Sequence, residues 1–307
     1  MGFWEHQKEF AGHKIKEYEP GKKLPDPSKS IPRLTVEYES EDTIIELFQS
    51  LLGDDNAGRL PALVIGAWDP EEMFEAPPDD LLEALVAAAP QLPNLTALFF
   101  GDVTSEECEV SWIQQTDLSP LWSAFPKLEH FRVRGSDGLS LGKMELEHLK
   151  SLTIETGGLQ KKVVQEVLTA KLPMLEELTL YLGTDSYGAN VTVEDLAPLL
   201  SGGLFPKLQH LGLCDSYIAD KIAQAVADSE IVKRIQSLDL SLGTMGDEGG
   251  KALLASPAIA QLKKLDLHHH YMSTEVMKEF KAWKSPKVNL RDQEDEDEYG
   301  RYVAVGE

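Results

Sequence analysis

The chain has 307 residues, of which 42% are hydrophobic and 26% charged, a composition that suits a folded protein with enough Leu, Ile and Val for a sizeable core. Its net charge of −23, from 29 basic and 52 acidic residues, repels nucleic-acid phosphates and anionic lipid, so neither nucleic acid nor a membrane is an expected partner. A basic protein or peptide is electrostatically easier to hold, although solubility alone is a sufficient reason for such a charge.

The first ten residues show neither the basic start nor the apolar run of a secretory signal, and no stretch approaches the roughly 18 apolar residues of a membrane span. With Cys108 and Cys214 as the only cysteines, a disulfide framework is excluded and a cytoplasmic location is expected. Residues 1–30 carry Phe3, Trp4, Phe10, Ile15 and Tyr18 and then the breakers Pro20, Pro25 and Pro27, which reads as a cap over the first edge of an array. The array, expected over residues 31–290, begins with a strand at Ile31–Tyr38. A helix from about Glu41 to Leu52 follows, its buried stripe supplied by Ile44, Ile45, Leu47, Phe48, Leu51 and Leu52.

Leu60, Leu63 and Ile65 open a second unit, whose helix spans Asp79–Ala88 with Asp80 and Glu83 at capping-box spacing. Leu95, Leu98 and Phe100 open a third, with a shorter helix at Asp117–Phe125. The long connections between them hold Trp68, Met73, Phe74, Cys108 and Trp112 and must bulge as loops. Leu128/Phe131/Val133 and Leu149/Leu152/Ile154 follow closely, and the glycine-rich link between them shows no helical stripe.

From Leu175 onward a Leu-x-x-Leu-x-Leu hexad recurs as Leu175/Leu178/Leu180, Leu208/Leu211/Leu213, Ile235/Leu238/Leu240 and Leu262/Leu265/Leu267, the last two intervals being 27 residues each. That period accommodates one strand and one helix, and such a unit buries its apolar side only by stacking on neighbours. Helices are expected at Gln160–Ala170, Thr192–Leu200, Ile218–Asp228, Asp247–Ala255 and Ser273–Trp283, the third with Ile218, Ile222, Ala225 and Val226 on one face. A last strand at Val288–Leu290 gives way to residues 291–307. These form an acidic tail, ending in an alternating Tyr299–Val305 stretch that reads as a frayed end or as a short strand returning over the last edge.

Strands joined through helices are parallel and their crossovers right-handed; strands about 4.8 Å apart and helices about 10 Å wide make the strand side the shorter arc. The expected fold class is therefore α/β, a right-handed solenoid with a parallel concave sheet and convex helices. This pattern resembles the leucine-rich repeat family, and Gly246-Asp-Glu-Gly249 before Ala252-Leu-Leu254 resembles the turn into the helix of its ribonuclease-inhibitor-like class. The chain departs from the family where Asn or Cys is usual after the hexad: Ser216, Gly243 and His270 stand there. More narrowly, Ser111–Gln115, Glu155–Gly158, Leu182–Gly188, Asp266–His270 and Arg301–Val305 resemble a group of uncharacterised bacterial leucine-rich-repeat proteins, a resemblance that implies no established activity.

Aligned hexads place Thr153, Thr179, Gly212, Asp239 and Asp266 in one concave row and Glu155, Tyr181, Cys214, Ser241 and His268 in the next. Asp239 and Asp266 should sit on adjacent strands, where two carboxylates repel unless a proton or cation joins them. Three readings stay open for them: a solvated polar face, a clamp for a cationic side chain, and an O/N metal site completed by His268. His268, His269 and His270 cannot converge on one ion from a regular strand, and His270 suits a structural role at the family's Asn position. The loop Gly183–Gly188 reads as a surface turn or a recognition loop; Trp68, Trp112 and Trp122 are expected to pack the loops beneath them, and Cys214 to be inert.

No nucleophile elbow, His-Glu-x-x-His, Walker loop or Cys-x-x-Cys pair is present, so no enzyme and no cofactor is expected. The reading is a protein- or peptide-binding module that uses Glu155, Tyr181, Asp185, Tyr187, Asp239, Asp266 and His268. The alternatives are a metal-dependent hydrolase centred on Asp239, Asp266 and His268, or a structural scaffold.

Overall fold

The computed structural model describes residues 3–38 and 40–306; Met1 and Gly2 of the expected cap, Glu39, and Glu307 of the expected tail lie outside the described residues. The array expected over residues 31–290 falls into two compact units, Met1–Glu155 with Thr169–Pro173 and Thr156–Leu168 with Met174–Glu307.

In the first unit the strands are β1 (Glu9–Phe10), β2 (His13–Glu17), β3 (Ser30–Leu34), β4 (Ala62–Ile65), β5 (Ala97–Phe100), β6 (His130–Arg134) and β7 (Ser151–Glu155). β1 pairs antiparallel with β2, and from β2 onward each strand pairs in parallel with the next in chain order. The register aligns Leu63, Leu98, Phe131 and Leu152, so the middle apolar residue of each hexad stacks on the next, and all four are fully buried. The helices are α1 (Ile44–Leu52), α2 (Asp79–Ala87) and α3 (Pro120–Ala124).

Two local expectations change. The capping box sits on α1, where the Thr43 hydroxyl accepts from Glu46 N and the Glu46 carboxylate accepts from Thr43 N. Helix α2 has Pro78 at its N-cap, which carries no acceptor, and Asp80 already lies inside the helix. α3 starts at Pro120 because proline cannot donate into the preceding turn, and Asp117 instead accepts from Ser119 N.

The inner face of the first unit is covered by its own leading segment. Ile31, Ala62, Val64, Ala97 and Phe99 form an apolar cluster on the side away from the helices, and Phe10, Ala11 and Ile15 pack on it, with the Phe10 and Phe99 ring centroids 5.7 Å apart. Each large side chain so covered contributes roughly 1.5–3 kcal/mol. Trp68 and Trp122 pack as expected, whereas Trp112 is 55% exposed on its connection.

In the second unit β8 (Glu177–Gly183), β9 (His210–Ser216), β10 (Ser237–Asp239), β11 (Lys264–Asp266) and β12 (Lys287–Asn289) pair in parallel in chain order. Leu178, Leu211, Leu238 and Leu265 share one register column and are buried. Helices α4 (Lys161–Leu168), α5 (Val193–Leu200), α6 (Ala219–Ala227), α7 (Asp247–Ala255) and α8 (Thr274–Lys281) fall between the hexads. α6 buries Ala219, Ile222, Ala223, Val226 and Ala227, while Ile218 serves as its half-buried N-cap. The Asp220 carboxylate accepts from Gly246 N and Gly249 N at 2.9 and 2.8 Å, supplying α7 with the cap that Gly246 lacks.

His270 fulfils the structural role expected of it. It is fully buried, its Nδ1 accepts from Met272 N at 3.2 Å, and its Nε2 lies 3.4 Å from the Leu290 carbonyl, so one ring replaces both the acceptor and the donor of an asparagine amide.

Residues 301–306 form no strand. They run across the loops that follow the strands, with Tyr302 bonded to the Tyr271 hydroxyl, Ala304 N donating to Leu242 O at 2.8 Å and Val305 N donating to Asp215 Oδ1 at 2.9 Å. Asp215 is fully buried there, and burial lifts its carboxyl to about 8 against the opposing pull of the Val305 and Ala304 amides. Between about pH 4, where the unfolded carboxyl ionises, and pH 8 the folded chain therefore holds the extra proton, and this group makes stability fall as pH rises, by at most about 1.4 kcal/mol per pH unit. Asp215→Asn should remove that fall, so urea titrations from about pH 5 to about pH 8 should show the variant gaining on the wild type as pH rises.

Gly183, at φ +70°, stands where a Cβ would collide with the Gly157 carbonyl, whereas Gly188, at φ +89°, faces open space. Gly188→Ala should cost about 1 kcal/mol of left-handed strain, and Gly183→Ala at least about 2–3 kcal/mol, read from urea denaturation midpoints.

Candidate partner-binding face

The inner face of the second unit is open, and strand alternation fills it in rows. Parallel register aligns Thr179, Gly212, Asp239, Asp266 and Asn289 in one row and Glu177, His210, Ser237, Lys264 and Lys287 in the row before it. A cleft of about 630 Å³ runs along these rows. Asp239 and Asp266 are register partners on β10 and β11, as their hexad positions predict.

Their carboxylates are partly spent on the backbone. Asp239 Oδ1 accepts from Ser241 N at 2.9 Å, and Asp266 Oδ1 accepts from His268 N at 3.1 Å, each closing a turn two residues on. Asn289 repeats the pattern toward Arg291 N at 3.4 Å. This ends β10, β11 and β12 after three residues, whereas β8 and β9, with Thr179 and Gly212 in the row, run for seven. Asp266 carries more: Asn289 Nδ2 donates to both its oxygens at 2.9 and 3.0 Å, and His268 Nδ1 lies 2.8 Å from Oδ1. Burial pushes its carboxyl up, but the bonds from His268 and Asn289 outweigh it and hold the carboxyl below its ordinary value.

Asp239, Asp266 and His268 are thus brought together. Among the described residues no group of three or more His, Cys, Asp or Glu side chains is arranged to hold a metal. Tyr181 is half-buried on β8, and Asp185 and Tyr187 belong to the turn after it, Asp185 exposed and Tyr187 half-buried. Cys214 is buried, which drives its thiol well above the ordinary range, and burial likewise lifts Cys108 to about 11; neither is a ready nucleophile.

Glu155 corrects the expected site. It belongs to the first unit, is 1% exposed, and its carboxylate is taken by Arg132 and by Arg134 Nε, the latter at 2.9 Å. Burial alone would raise its carboxyl, but the two guanidinium charges lower it. Asp102, fully buried, joins Arg134 at 3.8 Å to Arg33 at 2.7 Å, and the Phe3 ring lies 3.8 Å from the Arg134 guanidinium. A carboxylate closed in this way presents nothing to a partner. Lys264 and Lys287, exposed beside the aspartates, were open to the same hexad alignment, at its third position rather than its fifth.

Parallel strands that carry the hexad from β4 to β11, returned through helices or loops, make this a leucine-rich-repeat protein. It belongs to the family of a Bacteroides fragilis protein solved by the Northeast Structural Genomics Consortium, with which it shares 30% identity at a TM-score of 0.83, over 91% of this chain and 78% of that one. An internalin from Listeria monocytogenes aligns at 15% identity and a TM-score of 0.41, over 88% of this chain and 62% of that one. Neither a family model nor a curated protein matches the chain.

Glu155→Ala should strand the buried Arg134 guanidinium and free the half-buried Arg132, and cost about 3–5 kcal/mol in urea denaturation. A loss under about 1 kcal/mol would show that the cluster is solvated.

Proposed function

We propose that this protein is a non-catalytic binding module whose second unit takes a protein or peptide segment on its inner face. The observation that carries the reading is the helix-free cleft in which Asp239 and Asp266 stand beside Lys264 and Lys287. An extended segment of alternating charge would match it, with basic side chains on the aspartates and an acidic one on the lysines. Tyr181, Asp185, Tyr187 and His268 border this surface in the proposal and supply aromatic area and further polar contacts. The net charge of −23 supports a basic or mixed-charge partner over nucleic acid or membrane, and two free cysteines support a cytoplasmic setting. The turn from Gly246 into α7 supports placing the repeats in the ribonuclease-inhibitor-like class.

Asp266 with both oxygens engaged and Cys214 buried favour binding over hydrolysis. Affinity capture from source lysate should enrich a partner with the wild type and lose it at least tenfold with Asp239→Lys/Asp266→Lys, both proteins checked by circular dichroism. Lys264→Glu/Lys287→Glu, which leaves the strand-ending turns intact, should weaken the same partner. Equal enrichment by all three proteins would reject the inner face as the binding surface.

A further inference from the structure

The segment from Arg301 to Gly306 is held as a ligand is held, by groups of other repeats directed mainly at its backbone. The Tyr271 hydroxyl donates to Tyr302 O at 3.1 Å and accepts from Tyr302 N at 2.9 Å, while His269 Nε2 lies 3.2 Å from the same carbonyl. One repeat earlier Leu242 O accepts Ala304 N, and one repeat earlier again Asp215 Oδ1 accepts Val305 N. Two side chains anchor the ends. Val305 is 2% exposed, and Arg301 Nη1 reaches Thr244 O at 3.3 Å and Asp220 Oδ2 at 3.5 Å, with its guanidinium 5.6 Å from the Tyr271 ring centroid. A Cβ on Gly246 would strike that guanidinium, so the glycine leaves room for it.

The receptor side is built and not quite filled. Asp215 is fully buried, and its Oδ2 has no hydrogen-bond partner. The connection that delivers the segment, residues 291–299, is exposed throughout and includes an unbroken acidic run from Glu294 to Glu298. Backbone bonds with His269 and His270 fasten Arg291, Asp292 and Glu294 to the loop after β11, and Asp297 and Gly300 close a turn. The segment from Arg301 can therefore leave by opening at the exposed acidic run without disturbing the core.

We propose that the carboxyl end of β9 and the loops after β10 and β11 form a peptide-binding groove, and that residues 301–306 occupy it as a resident, exchangeable ligand. The groove takes a short peptide with an arginine at one end and a small β-branched residue four positions later, read through its backbone between them. A tethered copy faces the groove at an effective concentration in the millimolar range, so a free peptide enters only when the resident segment is weakened. The groove adjoins the proposed inner-face surface at Tyr187, near which Gly306 lies, but rests on contacts other than those of the aspartate and lysine rows and does not depend on that reading.

The test measures fluorescence anisotropy of a labelled synthetic peptide, residues 299–306, against the full chain. Val305→Asp in the protein should raise its affinity for this peptide at least tenfold over the wild type, and Arg301→Ala in the peptide should abolish the gain. Lys264→Glu/Lys287→Glu, which leaves the turns after β10 and β11 intact, should leave peptide binding unchanged when combined with Val305→Asp. A folded Val305→Asp protein that binds no better than wild type overturns the proposal, as does a peptide whose binding is lost with Lys264→Glu/Lys287→Glu. Should Val305→Asp fail to fold, hydrogen exchange on the wild type decides: Ala304 and Val305 amides should exchange through local opening, faster than those of Leu211 and Leu238. Exchange of all four at one rate overturns the proposal.

Discussion

Each strand of this protein depends on its neighbour's backbone. Parallel strands of three to seven residues cannot close hydrogen bonds within themselves, so in each unit the N–H and C=O groups of one are satisfied by the next. That pairing fixes register, and register turns every side-chain choice into a column. Leu178, Leu211, Leu238 and Leu265 become one buried ridge because their backbones are locked in line, and Asp239 meets Asp266 for the same reason.

The two units use their helix-free faces differently. In the first, the columns are Ile31/Ala62/Ala97 and Arg33/Val64/Phe99/Arg132, apolar or cationic; the chain's own Phe10 and Ile15 pack on them, and Phe3 lies against Arg134. Buried arginines are tolerable only with carboxylates at hand, which Asp102 and Glu155 supply. In the second unit the equivalent columns are short, polar or charged, and nothing apolar calls for a cover.

Periodicity made the strands and helices legible, down to the unhelical link before β7 and the structural use of His270. It could not show Glu155 buried. Its partners Arg132 and Arg134 lie a repeat away, and the ring over Arg134 comes from Phe3 at the start of the chain. The aspartate row was legible as a position but not as a turn: that Asp239 and Asp266 each accept an N–H two residues on is a matter of backbone conformation. The course of residues 301–306 was also beyond reading, because alternation announces a strand while the contacts that hold it, at the end of β9 (Asp215) and in the loops carrying Leu242 and Tyr271, lie far away in sequence.

Burying the arginine–carboxylate cluster has a consequence for how the protein meets its ionic surroundings. Mobile ions cannot enter between Arg134, Asp102 and Glu155, all essentially inaccessible, so salt leaves that cluster nearly untouched. On the open face, Lys264, Lys287, Asp239 and Asp266 share the solvent, and at physiological ionic strength their fields fade within about 8 Å. Salt thus separates the two uses of charge in one chain, dimming the charges that face outward while the internal ones persist.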